Sequence, residues 1–398
     1  MKDKKRIVVL TGAGAVIDWD GPTTKKITDK IINDNEFCTI NHKPIGKLIH
    51  EHLTAFYFKE PHLVNFETIL NYVETIYQFF ESKYSVGVKK FRNANPVFFD
   101  FKSSLADEIL DFWRIYQRHK INGTEINQFE SLHRKTYMFN DYNIFWQSVY
   151  KHFLFLIREE IEVYQRNAVD FKHGILNQQF NTFINSFDNS VIRFYSTNYD
   201  RLPAIINKNL FEGFTPDTNG VLNFDANRVM RDDDCNCYYN LHGNFNYERG
   251  FDNLVLNTEK TNSDVGFGDA DGENRSLLVT NIITGLNKSS RILNTPFAQF
   301  YNKFFSDCYS ADLIITIGYS YSDIHLNNPL INSKTRIIIV GYDDYGNINY
   351  PIQFAKDIFR EYNPGFGDET GWNTHKTLYR KGFKEFLANS EWQNMNTN

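Results

Sequence analysis

The sequence predicts an α/β protein, a Rossmann-like parallel sheet carrying a large helical insertion, and three observations predict it. Five short apolar runs are each bounded by small or polar residues: Arg6 to Leu10, Val191 to Tyr195, Cys237 to Leu241, Leu313 to Ile317 and Arg336 to Val340. Unbroken runs of this length are the texture of strands buried on both faces of a parallel sheet. Each run leads into a polar loop, namely Thr11-Gly12-Ala13-Gly14, Ser196-Thr197-Asn198-Tyr199-Asp200, His242-Gly243-Asn244, Gly318-Tyr319-Ser320 and Gly341-Tyr342-Asp343. Between Pro44 and Ser190 the texture changes to long aromatic segments with apolar residues at three-to-four spacing, as in Ile144, Val149, Phe153, Leu156, Ile157 and Ile161, the pattern of packed amphipathic helices.

Taken in order, the charged start from Met1 to Arg6 runs straight into Ile7 to Leu10, which is too short for a signal h-region or a membrane span. The expectation is a cytoplasmic protein that does not engage a membrane. Helices are expected at Asn65 to Lys83, Ala106 to His119 and Phe145 to Phe171. The domain reading is a frame of residues 1–43 and 191–345, an inserted helical module of residues 44–190, and a helical tail of residues 346–398 packed on the frame. The Gly- and Asp-rich stretch Asp264 to Asn274 reads as an exposed loop; its Asp269-Ala270-Asp271-Gly272 lacks the twelve-residue ligand pattern of a calcium loop.

Composition sets the outer bounds. A chain of 398 residues with 36 Phe, 23 Tyr and 5 Trp has ample material for a core, and folds of this size bury roughly 75% of their unfolded surface. The aromatic surplus suits a homo-oligomer interface as well as a core. A net charge of -5 gives no basic footprint for autonomous nucleic-acid binding. Cys38, Cys235, Cys237 and Cys308 form neither a disulfide framework nor two CxxC pairs, so no metal is expected.

In open α/β sheets a ligand binds outside the carboxyl ends of the strands, and the five polar loops therefore mark the site. Gly12 and Gly14 follow a strand and precede an expected helix, the setting in which backbone approaches a pyrophosphate. Ile17 stands where a third glycine of a dehydrogenase fingerprint belongs, and no second strand ending in an acid follows about twenty residues on. Hydride transfer is thereby disfavoured.

The ordered motifs TGAG (Thr11 to Gly14), TNYD (Thr197 to Asp200) and HG (His242, Gly243) resemble those of sirtuins across most of the α/β frame. The resemblance implies that Gly12, Ala13 and Gly14 hold the phosphates of NAD, that Thr197, Asn198 and Asp200 face the nicotinamide and its ribose, and that His242 is the catalytic base. It also implies that Gly318, Tyr319 and Ser320 lie near the adenosine ribose, with Asp323 and His325 as further cofactor contacts. Two departures matter. The zinc-ribbon cysteines of the protein deacylases are missing, and Gly14 to Thr24 replaces their Ile-Pro-Asp-Phe-Arg stretch. That segment, with Gly318 to Asn327 (GYSYSDIHLN), resembles the divergent bacterial sirtuin-like NAD hydrolases of anti-phage defence, some of which work with a HerA-type ATPase.

The chemistry has its own logic. Cleaving the N-glycosidic bond of NAD passes through an oxocarbenium-like state, which needs a polar group at the ribose hydroxyls, a base and a dry surrounding. Asn198 and His242 supply the first two. Each has a plainer reading: Asn198 as a turn former, Asp323 and His325 as caps of a following helix, and Asp18, Trp19 and Asp20 as loop-shaping residues. The function expected is an NAD glycohydrolase with NAD as substrate and no metal, acting as an NAD-depleting effector. The alternatives are an NAD-dependent protein deacylase and a non-enzymatic nucleotide-sensing assembly subunit.

Overall fold

All five predicted runs pair, together with a sixth strand, into one parallel sheet. The computed structural model describes residues 4–37, 43–55, 61, 64–84, 142–187, 189–231, 235–249, 254–260, 266–267, 278–279, 281–284, 291–333, 335–341, 376–379 and 382–389. Cys38, the segment Ala106 to His119, Tyr342, Asp343, most of Asp264 to Asn274 and most of the tail beyond residue 345 lie outside the described residues.

The strands are β1 (Lys5–Thr11), β2 (Ser190–Ser196), β3 (Cys237–Asn240), β4 (Leu313–Ile317), β5 (Arg336–Val340) and β6 (Lys376–Tyr379). Their spatial order is β6-β5-β4-β1-β2-β3, and every neighbouring pair is parallel. Counted from the other edge this is 3-2-1-4-5-6, the order of a doubly wound dinucleotide-binding sheet, which reverses direction between β1 and β4. Val8, Val9 and Leu10 of β1 and Ile314 and Ile315 of β4 are wholly buried, which is why these central strands read as unbroken apolar runs.

The chain divides into two compact units, one of Met1–Thr23, Arg158–Ile283 and Lys288–Asn398, the other of Thr24–Ile157 and Thr284–Asn287. The first holds the parallel sheet. It also holds a small antiparallel sheet of Phe214–Pro216, Leu222–Phe224, Leu254–Leu256 and Tyr247–Arg249. A core of Tyr195, Tyr239, Phe300, Phe304 and Ile314 packs beneath the parallel sheet, with the Tyr239 and Phe300 rings stacked at 4.8 Å. Buried inside this unit, Asp307 accepts from the Tyr195 hydroxyl at 2.6 Å and pairs with Lys303 at 2.9 Å and Arg193 at 3.7 Å. Buried charge is tolerated where opposite charges lie together, and here one carboxylate faces two cations.

The second unit is helical in its described residues. Helices Thr24–Asn33, Ile45–Leu53 and Phe66–Tyr84 pack together, burying Ile31, Ile49, Ile69, Leu70 and Val73. A Cβ on Gly46 would sit 2.3 Å from the Ile31 carbonyl, so the absent side chain lets two helices touch. In the helix Tyr142–Ala168 the periodic residues Val149, Phe153, Leu156, Ile157 and Ile161 are all buried, as their spacing requires.

Candidate functional site

The loops that leave β1 and β4 meet where the strand order reverses. Gly14 donates its amide to the Gly318 carbonyl at 3.0 Å, Gly12 donates to Ile317 at 3.0 Å, and Ala15 donates to Gly12 at 2.9 Å. The packing is backbone on backbone: a Cβ on Gly12 would lie 2.7 Å from the Gly318 oxygen, and one on Gly318 (φ +56°) would lie 2.3 Å from Gly14. The glycines therefore have a packing reason that the local sequence does not reveal, and three amides of this loop already donate to carbonyls of the chain. The expected helix after Gly14 is a 3-10 segment, Ala13–Trp19, closed by Asp20 in the left-handed region at φ 61°. Its short turns aim fewer aligned amides at a ligand than an α-helix would.

Asp18, Trp19 and Asp20 shape this loop. Asp18 accepts the Lys384 amide at 2.8 Å, Trp19 donates its indole N–H to Asn177 at 2.7 Å, and Asp20 pairs with Lys172 and His173. The hydrogen bond from Lys172 holds the Asp20 carboxyl below the usual carboxylate range.

At the end of β2, Asn198 is partly exposed and donates its side-chain amide to the Gly12 carbonyl at 3.2 Å. Thr197 anchors to the Thr11 carbonyl through its amide at 2.9 Å and its hydroxyl at 3.3 Å. Asp200 points inward. It is buried, and its carboxylate caps the Leu202 amide at 2.8 Å. Burial pushes this carboxyl above the usual carboxylate range, opposed by hydrogen bonds from the Tyr164 hydroxyl and the Leu202 amide. Beside Asn198 and Asp200 runs a narrow crevice lined also by Thr11, Trp19, Phe180 and Phe383, with about 20 Å³ open to water. A space of this size holds about one water molecule.

The end of β3 is polar and densely hydrogen-bonded. His242 is buried, and its Nε2 lies 3.0 Å from Oδ2 of Asp323, itself buried in the loop after β4. The other oxygen of Asp323 accepts the His325 amide at 3.2 Å and caps the helix Ile324–Asn332. Tyr319 donates its hydroxyl to the Asp323 carbonyl at 3.2 Å and to Asn327 at 3.1 Å. Gly243 turns the chain at φ +85°, and a Cβ there would meet the Asn281 carbonyl at 2.2 Å. The carbonyl of His242 accepts from Ile283 at 2.7 Å.

Sequence reasoning missed the amides that tie these loops together. Asn240 donates its side-chain amide to the carbonyls of Asn198 at 3.0 Å and Asp200 at 2.7 Å, and Asn244 donates to Asp200 at 2.9 Å and to Asn240 at 3.0 Å. The signal that could have found them is a run of asparagines at 240, 244 and 246 around the His-Gly pair. Gly12, Gly14, Asn198, Gly318, Tyr319, Asp323 and His242 thus belong to one connected set of strand-end loops. Ser320 is exposed and bonds to Ser322, and His325 engages Asp323 through its backbone amide. Among the described residues no group of three His, Cys, Asp or Glu is arranged to hold a metal ion, and no helix is long and apolar enough to cross a membrane. Cys237 is buried, and its thiol is pushed up to about 11 by desolvation.

No family model matches the chain, and no curated protein matches it. Among solved structures it is similar to a Sir2 homologue mutant in complex with ADP-ribose, at 11% identity over 91% of this chain and 93% of that one, with a TM-score of 0.31. The fold assignment rests on strand order and pairing rather than on this likeness.

Proposed function

We propose that this chain is an NAD glycohydrolase that cleaves NAD to nicotinamide and ADP-ribose. The observation that carries the reading is the linkage of three strand-end loops at the point where the strand order reverses: Asn198 bonds to Gly12, Gly12 and Gly14 pack on Gly318, and the loop after β4 supplies Asp323 to His242. The strand ends at a switch point are where a doubly wound sheet receives a nucleotide, and the residue types on these linked loops suit glycosidic cleavage, with Asn198 lining the small crevice and His242 on the loop after β3.

In the proposed reaction water attacks C1′ of the nicotinamide ribose. The C1′–N bond breaks, its electron pair passes to the ring nitrogen, and neutral nicotinamide leaves. The water proton passes to His242 and then to solvent. Asn198 orients the water and a ribose hydroxyl through its side-chain amide, and the loops of Gly12, Ala13, Gly14 and Gly318 border the phosphates. The crevice beside Asn198 takes about one water, so in this conformation it has room for the attacking water and not for a nicotinamide ring.

The wider role follows from the sequence resemblance: an NAD-depleting defence effector in the cytoplasm, assembled as a homo-oligomer and working with a HerA-type ATPase. The decisive experiment incubates the purified chain with NAD in 18O-labelled water, alone and with an ATPase partner, and identifies products by mass. Nicotinamide with singly labelled ADP-ribose supports hydrolysis. O-acyl-ADP-ribose formed only with an acyl-lysine peptide would replace this reading with deacylation.

A further inference from the structure

We propose that Asp323 is a positioning residue for His242 that keeps the imidazole proton on Nε2 and so makes Nδ1 the nitrogen that accepts a proton. The inference rests on the hydrolase reading for its catalytic consequence, but its structural half stands alone. A carboxylate only accepts hydrogen bonds, so the 3.0 Å contact between Oδ2 and Nε2 requires hydrogen on Nε2. In neutral imidazole the other nitrogen then carries the lone pair.

The carboxylate is well held for this task. Its Oδ1 is engaged by the His325 amide at the start of a nine-residue helix, leaving Oδ2 directed at the ring. The backbone of the same residue is pinned by the Tyr319 hydroxyl, whose partner Asn327 donates to the Tyr321 carbonyl at 2.7 Å. Thr316 and Tyr321 close the arrangement with a 2.7 Å hydroxyl contact. His242 is fixed from its own side by Gly243 and by the Ile283 amide on its carbonyl. Both side chains are nearly removed from solvent, at 5% and 4% exposure, so water does not compete for the bond.

Asp323→Asn separates charge and tautomer control from capping, because Asn is as good an N-cap as Asp. Two readouts are taken on the full chain. The first is 15N-histidine NMR at about pH 8.5, where an ordinary histidine is neutral, with His242→Gln locating the signal. Wild type is expected to show the Nε2–H tautomer, and Asp323→Asn a mixed or Nδ1–H form. An Nδ1–H tautomer or a doubly protonated ring in wild type overturns the proposal whether or not the chain cleaves NAD. The second is steady-state nicotinamide release, where Asp323→Asn is expected to lower kcat about 10- to 100-fold, the range for lost orienting partners, with KM and the unfolding midpoint unchanged. Unchanged kcat, or a change in KM alone, would make Asp323 a cap or a ligand contact and overturn the proposal. Absence of release in wild type would remove the hydrolase reading and leave the NMR result to decide the tautomer.

Discussion

The two sides of the candidate site are built on opposite principles. Where the loops after β1 and β4 meet, glycine packs against glycine, with no side chain between backbones and no room for one. At the ends of β2 and β3 the loops are joined by side chains: Asn240 and Asn244 hold the 198–200 carbonyls, and Asp323 holds His242. The first side is set by steric exclusion and fails abruptly. The second is set by satisfied buried polar groups, which are costly when one partner is removed and inexpensive when the set is complete.

The largest effect is expected where the glycines meet. Gly318→Ala forces a Cβ into Gly14 at a positive φ, and urea unfolding should register a loss of roughly 2–6 kcal/mol. A loss under about 0.5 kcal/mol would mean that the loops separate easily. Next comes Asn240→Ala, which removes one donor from the part-buried Asn198 carbonyl and one of three from the buried Asp200 carbonyl, where Asn244 and Tyr238 remain; about 1 kcal/mol should be lost by the same measurement.

Asp200→Asn should act in the other direction. Burial raises the Asp200 carboxyl, so its charged form is disfavoured in the folded state. Folding is unaffected by this group below the unfolded value of 3.8 and loses stability as pH rises from there through the folded value. The amide keeps an acceptor for Leu202 and carries no charge, so thermal unfolding should find the variant at least as stable as wild type at neutral pH and without that advantage near pH 3. The smallest change is expected from Lys172→Ala, whose pair with Asp20 is open to water on both sides; a shift above about 0.5 kcal/mol would show that this pair anchors the Trp19 loop.

The same contrast separates what the sequence disclosed from what it hid. Five strands were legible because strands buried on both faces are continuously apolar, and the observed bounds of β4 and β5 are those of the runs themselves. The sixth, Lys376–Tyr379, has four residues that mix polar and apolar types, too little for a periodic signal. His242 and Asp323 each stand out in the sequence as candidates, the second equally as a helix cap, but their pairing spans 81 residues and belongs to the tertiary fold. The glycines at 12 and 14 were visible, whereas their need to admit Gly318 was not, since nothing local announces a neighbour so distant along the chain. Phe383 in the crevice had no local signal either.

Nicotinamide release from NAD, compared among wild type, Asn198→Ala and His242→Ala with folding checked by thermal unfolding, tests the central claim most directly. The account predicts release by wild type, alone or with an ATPase partner, and at least about a hundredfold less from each folded variant, the scale of a lost general base. Release undiminished in both variants, or absent from wild type in both conditions, would contradict it.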